Sequence, residues 1–224
     1  MKYIITFLLL SLNLMSQIKI EWVVDKNKEK ADITIFNVSD DSIVFPLNKK
    51  SLQAYFVDNQ LITRDSWSGQ YPFFAPVLTV YDKTSQSRVS TDSSIPYSDH
   101  SEKEYRNTSS QRKYDSIIKD WKKLNKIEDS FIAQVNYYII NHLIVLKPKE
   151  KIRFSTVFNL RNITNQENGI HDSYLLEEEI AYTALLTLDI DEANYDYLTQ
   201  KQKQKYKKYK LFKGRVESNK IEIK

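Results

Sequence analysis

Apolar and polar side chains alternate along several short segments in the first third of the chain. Ile18, Ile20, Trp22 and Val24 alternate with polar residues, which is the period of a strand with one buried face. Further short apolar runs cover residues 33–38, 43–47, 52–57 and 77–81, with polar turn residues between most of them. Short strands separated by turns at about ten-residue intervals predict an antiparallel β-sandwich.

The period changes in the middle of the chain. Residues 83–113 are mostly polar and predict a long exposed loop. From Tyr114 to Tyr138, apolar residues recur three and four positions apart, which is the period of a helix. We predict one long helix, or two with a break near Asn125, packed against the sheet. The helical insertion is placed at about residues 100–142.

Strand patterns return after the insertion. They cover residues 143–146, 152–158 and 182–190, and a last strand or hairpin is predicted around residues 216–223. Thr199 with Gln202 fits the start of a short Lys-rich helix that reaches about Lys210. Residues 18–224 therefore predict a single, mostly β domain, and a helix-plus-sheet α+β domain is the alternative.

Two fragments resemble a known kind of domain. Ile35-Phe36-Asn37-Val38-Ser39 followed by Ile43-Val44-Phe45 is similar to an early strand pair of immunoglobulin-like sandwiches in exported bacterial proteins. Residues 146–151 resemble the Leu-x-Pro-Gly-Glu turn of such domains, with Lys149 where glycine is usual. The resemblance implies an immunoglobulin-like sandwich with an accessory or binding role, and it transfers no catalytic residue.

The N-terminal residues have the pattern of a secretory signal peptide. Lys2 supplies a positive charge, residues 4–14 are largely apolar, and Ser16 offers a small residue before a cut. The apolar run is shorter than the roughly 20 residues that span a bilayer. We expect a signal peptide over residues 1–17, cleavage near Ser16 and Gln17, and a periplasmic or secreted protein. A retained N-terminal anchor is the alternative.

Charge and cysteine content narrow the classes of partner and of chemistry. The chain has no cysteine, which excludes disulfides, thiol catalysis and a lipid-modified cysteine. Residues 199–224 carry ten Lys or Arg and two Glu, in a chain whose net charge is only +4. This segment predicts peripheral contact with an anionic surface through Lys205, Lys207 and Lys208, or a merely solvated face. Export argues against nucleic acid as the partner.

An aromatic segment is the strongest candidate for ligand binding. Trp67, Tyr71, Phe73 and Phe74 lie close together beside glycine and proline residues, which predicts a loop. Aromatic side chains on a loop can stack on sugars or anchor a protein partner. The alternative is that the rings fold back and cover an open end of the sandwich.

Signals for catalysis and metal binding are weak. Each of the three histidines is isolated, and His142 in its apolar surroundings predicts a core or boundary residue rather than a ligand. The acidic run from Asp189 to Asp196 could supply oxygens to calcium but lacks the glycine of an EF-hand loop. We predict no metal, no cofactor and no catalytic residue.

The pattern as a whole favours a non-enzymatic binding module of the bacterial envelope, with an envelope protein or glycan as partner. The rival prediction is a hydrolase or carbohydrate-active enzyme that uses dispersed carboxylates, namely Glu177, Glu178, Glu179 and Asp189. A structural envelope subunit is a third alternative.

Overall fold

The computed structural model describes residues 17–56, 62–67, 71–94, 100–164 and 171–223, with the backbone alone at residues 94 and 100–109. Apart from Gln17, the predicted signal peptide lies outside these residues. So do Ser68, Gly69 and Gln70 of the aromatic segment.

The described chain is mostly β. Two short 3-10 helices, Lys26–Lys28 and Glu192–Tyr197, accompany the regular elements. In chain order those elements are β1 (Ile18–Asp25), β2 (Lys30–Asn37), β3 (Ile43–Pro46), β4 (Gln53–Ala54), β5 (Val77–Asp82), β6 (Thr91–Ser94), α1 (His100–Asn125), α2 (Ser130–His142), β7 (Leu143–Leu146), β8 (Lys151–Val157), β9 (His171–Tyr174), β10 (Tyr182–Ile190), α3 (Gln200–Tyr206), β11 (Lys210–Leu211), β12 (Gly214–Glu217) and β13 (Ile221–Glu222).

The described strands form four sheets. Their orders are β1-β2-β8, β12-β10-β5-β4 with β13 also on β10, β11-β3-β7, and β6-β9. Within these sheets the pairing is antiparallel, except that β4 pairs with β5 and β11 pairs with β3 in parallel. The prediction of a mostly β protein with antiparallel strand pairing is confirmed.

Alternation places one face of β1 in the core. Ile18, Ile20 and Trp22 are each at most 2% exposed, whereas the intervening Lys19, Glu21 and Val23 face solvent. The Trp22 indole N–H donates to the Asn219 carbonyl oxygen at 2.9 Å, and the Trp22 backbone N–H donates to Asn219 Oδ1 at 3.0 Å. These bonds join the free edge of β1 to the segment after β12.

Near Asn37, two neighbouring segments of the chain each pass from one sheet into another. β2 continues into β3, and β7 continues into β8, so each pair begins in one sheet and ends in another. The Asn37 side-chain amide donates to the carbonyl oxygens of Asp41, Leu146 and Lys147 at 2.7–3.0 Å. One buried side chain therefore ties both crossings together.

The turn between β7 and β8 contains a residue with a positive φ. Lys149 adopts a φ of 61°, a left-handed conformation in which glycine carries no steric cost. The Glu150 N–H donates to the Lys147 carbonyl oxygen at 3.0 Å and closes the turn. Lys149 also forms an exposed ion pair with Asp40 at 3.0 Å.

Two helices occupy the segment where the sequence predicts the helical insertion, with the break after Asn125. The prediction that residues 83–113 form a loop is wrong in part, because β6 lies there and α1 begins at His100. The predicted burial of the whole apolar stripe against the sheet is also wrong. α1 packs mainly on α2, and Leu124 remains 76% exposed.

α2 supplies the apolar contact with the β layers. Ala133, Val135 and Ile139 are fully buried, and the helix packs against β3. Asp129 caps the start of α2 by accepting the Ile132 backbone N–H at 2.9 Å. α1 is thus an outer layer whose position depends on α2.

Several predicted boundaries differ from the structure. The strand predicted at residues 52–57 is only Gln53–Ala54. The Lys-rich helix ends at Tyr206 rather than near Lys210, because Lys210 and Leu211 leave it to pair with β3. No helix among the described residues has both the length and the apolar character needed to cross a membrane.

His142 at the end of α2 gives the protein a predicted acid sensitivity. Burial is the main cause that lowers its pKa below the usual 6.5, and the nearby Lys49 and Lys50 lower it further, whereas a hydrogen bond with the Tyr138 carbonyl oxygen opposes the shift. The unfolded chain therefore binds this proton more readily than the folded chain. Folding stability should fall as the pH drops below about 6.5.

The measurement is urea unfolding between pH 7.5 and 5 of the wild type and of His142→Phe. We expect the variant to lose less stability over this interval than the wild type does. Parallel pH profiles for the two proteins would contradict the assignment to His142.

Candidate functional site

The structure gathers the aromatic segment into a cluster on α2. The Trp67 and Phe73 rings stack with centroids 5.3 Å apart and an angle of 11° between their planes. Tyr138 of α2 contacts Trp67 edge-on at 5.6 Å, and Phe131 does so at 6.3 Å. Tyr71 meets Phe73 edge-on at 4.9 Å.

Hydrogen bonds hold this segment to its neighbours. The Trp67 indole N–H donates to Gln134 Oε1 at 2.7 Å, and the Tyr138 hydroxyl donates to the Phe73 carbonyl oxygen at 2.9 Å. The Gln53 amide donates to the Pro72 carbonyl oxygen at 2.7 Å. The aromatic segment is therefore docked on the fold at both ends.

The four predicted binding residues differ in how much surface they leave to a ligand. Phe73 is 4% and Phe74 is 7% exposed, so these two rings are part of the hydrophobic core. Trp67 and Tyr71 are partly exposed. Burial of the phenylalanines favours the alternative in which the segment covers the fold, and ligand contact at Trp67 and Tyr71 stays a prediction.

The predicted lysine contact lies on a separate surface. Lys205 is in α3, Lys207 and Lys208 follow it, and all three are exposed. Lys205 and Lys208 lie 5.2 and 5.0 Å from the ring centroids of Tyr206 and Tyr209. Among the described residues, none of the three lysines forms an ion pair, whereas the neighbouring Lys203 and Lys210 pair with Asp196 and Asp41.

A groove that the sequence did not reveal runs between the end of α1, the end of α2 and α3. We call it the α1–α3 groove, and its volume is about 830 Å³. Its lining residues are Trp121, Leu124, Asn125, Lys126, Ile140, Thr199, Gln200, Lys201, Gln202, Lys205 and Tyr206. The lining residues of α1 and of α3 are about 75 residues apart in the sequence, so no local sequence motif predicts the groove.

A buried polar network positions the three helices around the groove. Asn136 of α2 accepts the Trp121 indole N–H at 2.8 Å and donates to Gln202 Oε1 at 2.6 Å and to the Tyr197 carbonyl oxygen at 2.7 Å. Gln202 also closes the capping box of α3 with Thr199. One amide in α2 thereby fixes both α1 and α3.

The carboxylates of the rival enzyme prediction do not form one site. Glu177, Glu178 and Glu179 lie in the exposed loop before β10, and Asp189 lies near the other end of that strand. Tyr182 and Asp189 are seven positions apart, which corresponds to about 23 Å in an extended strand. Glycosidase carboxylates act about 5–9.5 Å apart, so pairing Asp189 with this loop is wrong.

The acidic run from Asp189 to Asp196 is engaged within the fold. Asp191 caps the second 3-10 helix through the Ala193 N–H at 2.8 Å, and Glu192 pairs with Lys213 at 2.6 Å. Asp196 pairs with Lys203 at 3.3 Å. Within the described residues, no cluster of three or more His, Asp or Glu side chains could hold a metal ion.

Comparisons with known proteins add no assignment. No family model, curated protein or solved structure matches this chain.

Proposed function

We propose that the chain is an exported, non-enzymatic interaction module of a bacterial envelope that contacts an anionic lipid surface. The main observation in support of this proposal is that three exposed lysines form no ion pair with the described carboxylates. They are Lys205, Lys207 and Lys208. Export rests on the signal-peptide pattern of residues 1–17. In this proposal the sheets stack as an immunoglobulin-like sandwich that presents the lysines at one surface.

Electrostatics supports a membrane surface as the partner of these lysines. Each basic residue near an anionic bilayer contributes about 1 kcal/mol of attraction. Three lysines together contribute about 3 kcal/mol, or roughly a hundredfold in affinity. Such contacts are screened by salt, because the Debye length shortens to about 3 Å at 1 M.

The test is sedimentation of the purified protein with vesicles of phosphatidylcholine, with and without phosphatidylglycerol. We expect binding only with phosphatidylglycerol, and a loss of roughly a hundredfold in the triple variant Lys205→Gln, Lys207→Gln, Lys208→Gln. The matched control removes the same charge from three scattered exposed lysines, Lys26, Lys49 and Lys147.

The control triple variant should bind nearly as well as the wild type. If both triple variants lost the same affinity for the vesicles, net charge alone would explain the binding. That result would contradict a specific binding surface at these lysines. Binding to an anionic polysaccharide but not to the vesicles would assign a polymer instead. Export is tested separately, since the mass of the protein in the medium or periplasm should correspond to a chain that starts near Gln17.

A further inference from the structure

We propose that the α1–α3 groove binds a single acyl chain with an anionic headgroup. This inference deepens the proposed function, because it gives the lysine-bearing surface a defined lipid ligand rather than a flat bilayer alone. Three features of the groove support this proposal. They are an exposed apolar wall, a rim whose charged residues are lysines, and a floor whose polar groups are hydrogen-bonded to each other.

The wall of the groove offers apolar surface to a ligand. Leu124 in the last turn of α1 is 76% exposed, the largest exposed fraction among the exposed large apolar side chains of the described residues. Trp121, Ile140 and Tyr206 are partly exposed around it. Covering these side chains with a hydrocarbon chain removes apolar area from water, which favours binding.

The rim of the groove is cationic. Lys126, Lys201 and Lys205 line it, and no carboxylate of the described residues is among its lining residues. None of the three lysines forms an ion pair with a described acidic residue. A ligand that carries both an apolar chain and a negative charge therefore matches the wall and the rim at the same time.

Two carbonyl oxygens near the end of α1 are already hydrogen-bonded. The Lys122 carbonyl oxygen accepts the Ile127 N–H at 3.0 Å, in the turn where Lys126 has a φ of 56°. The Trp121 carbonyl oxygen accepts the Asn125 side-chain amide at 3.1 Å. These two bonds reduce the number of open acceptors at the end of α1, beside Lys126 of the groove.

The paired floor favours an acyl chain over an acidic peptide. Asn125 and Gln202 bond to each other at 3.3 Å, and Gln202 bonds to Thr199 and Asn136. A peptide buried here would leave backbone amides without partners, which is costly. An acyl chain has no such groups, and a groove of about 830 Å³ lies within the usual size of small-molecule sites.

The test is calorimetric titration of the full chain with lysophosphatidylglycerol below its micelle concentration. Lysophosphatidylcholine of the same chain length tests the charge, and glycerol phosphate tests the headgroup without the chain. We expect binding of the anionic lysolipid, binding of the zwitterionic lysolipid at least about tenfold weaker, and no heat from glycerol phosphate.

The variant Leu124→Ser should weaken lysophosphatidylglycerol about 10- to 100-fold, because the ligand loses its largest apolar contact. Leu175→Ser is the matched control, since Leu175 is 60% exposed and lies outside the groove. The control should bind as the wild type does. Circular dichroism and urea unfolding establish that both variants are folded.

Each contrary result has a distinct meaning. Equal affinity for the two lysolipids, or no effect of Leu124→Ser, would overturn the inference. Binding of an acidic Leu-containing peptide in place of the lysolipid would also overturn it, in favour of a protein partner. If the vesicles bind through the lysines but the lysolipid does not bind, the proposed function stands and the groove ligand is rejected. If the lysolipid binds but the vesicles do not, only the contact with the membrane surface is rejected.

Discussion

Replacing Asn37 by alanine should lower the free energy of unfolding by about 3 kcal/mol. The Asn37 amide donates to three carbonyl oxygens, those of Asp41, Leu146 and Lys147, and the side chain is 2% exposed. Water cannot readily replace these donors, since the residue is buried. Each of the three hydrogen bonds contributes about 1 kcal/mol to stability. The Lys147 carbonyl oxygen keeps the Glu150 N–H as a donor after the substitution, so the expected loss is that of the Asn37 bonds alone.

The size of the effect follows from where Asn37 lies. Its hydrogen bonds link the loop between β2 and β3 to the turn between β7 and β8, where both segments change sheet. Its loss therefore weakens the connection between two sheets rather than one local turn. For a protein of this size, the change corresponds to a melting temperature lower by roughly 6–12 °C.

Urea unfolding followed by circular dichroism measures the change. Asn27→Ala is the matched control, because Asn27 is exposed in the first 3-10 helix. We expect its free energy of unfolding to stay within about 0.5 kcal/mol of the wild type. An Asn37→Ala protein with the wild-type midpoint would show that the two crossings are held by other contacts.

Replacing Trp67 by alanine is the second change with a large expected effect, a loss of about 3 kcal/mol in folding stability. The indole stacks on Phe73, contacts Phe131 and Tyr138 edge-on and donates to Gln134. Truncation leaves a cavity among these rings and an unpaired glutamine oxygen. Partial exposure of Trp67 places the expected loss at the lower end of the range for buried tryptophans.

This experiment separates packing from ligand binding at the aromatic segment. If Trp67 serves mainly to bind a ligand, alanine at this position should leave the unfolding midpoint unchanged. Trp67→Phe is the matched control, because it keeps a ring in the stack while it removes the N–H bond to Gln134 and the second ring of the indole. We expect that variant to lose at least about 1 kcal/mol, the usual contribution of one hydrogen bond, and less than Trp67→Ala loses.

Much of the secondary structure could be predicted because it depends on neighbouring residues. Alternation in β1 predicts its boundaries and buried face, and the apolar run of β10 predicts residues 182–190. The break near Asn125 was predicted from the helical period as well, and Lys126 there turns the chain with a positive φ. In each case the side chains that carry the signal lie within one element.

The elements that the sequence did not reveal are those whose partners are distant in the chain. β9 is a polar segment, His171–Tyr174, that is a strand because β6 supplies its hydrogen bonds. β11 has only two residues, and its parallel pairing with β3 ends the Lys-rich helix early. Neither strand has an apolar pattern, since its stability comes from backbone pairing.

The candidate sites show the same division. The sequence identified the aromatic segment and the lysines, which are contiguous. It missed the α1–α3 groove, because Leu124 and Lys205 lie on separate helices, and Asn136 from a third helix holds them together. Asp189 lies apart from Glu177, Glu178 and Glu179 for the converse reason, since an extended strand separates residues that are near in sequence.

By itself, the sequence determined the periods of its strands and helices, the absence of cysteine and the uneven charge, because these are properties of neighbouring residues and of composition. The tertiary structure decided which strands pair, where the chain changes sheet at Asn37, and which helix faces remain exposed. The physical reason is that burial and hydrogen bonding are completed by residues far apart in the chain. A local pattern predicts that a side chain is buried or hydrogen-bonded, but it does not identify the residue that it contacts.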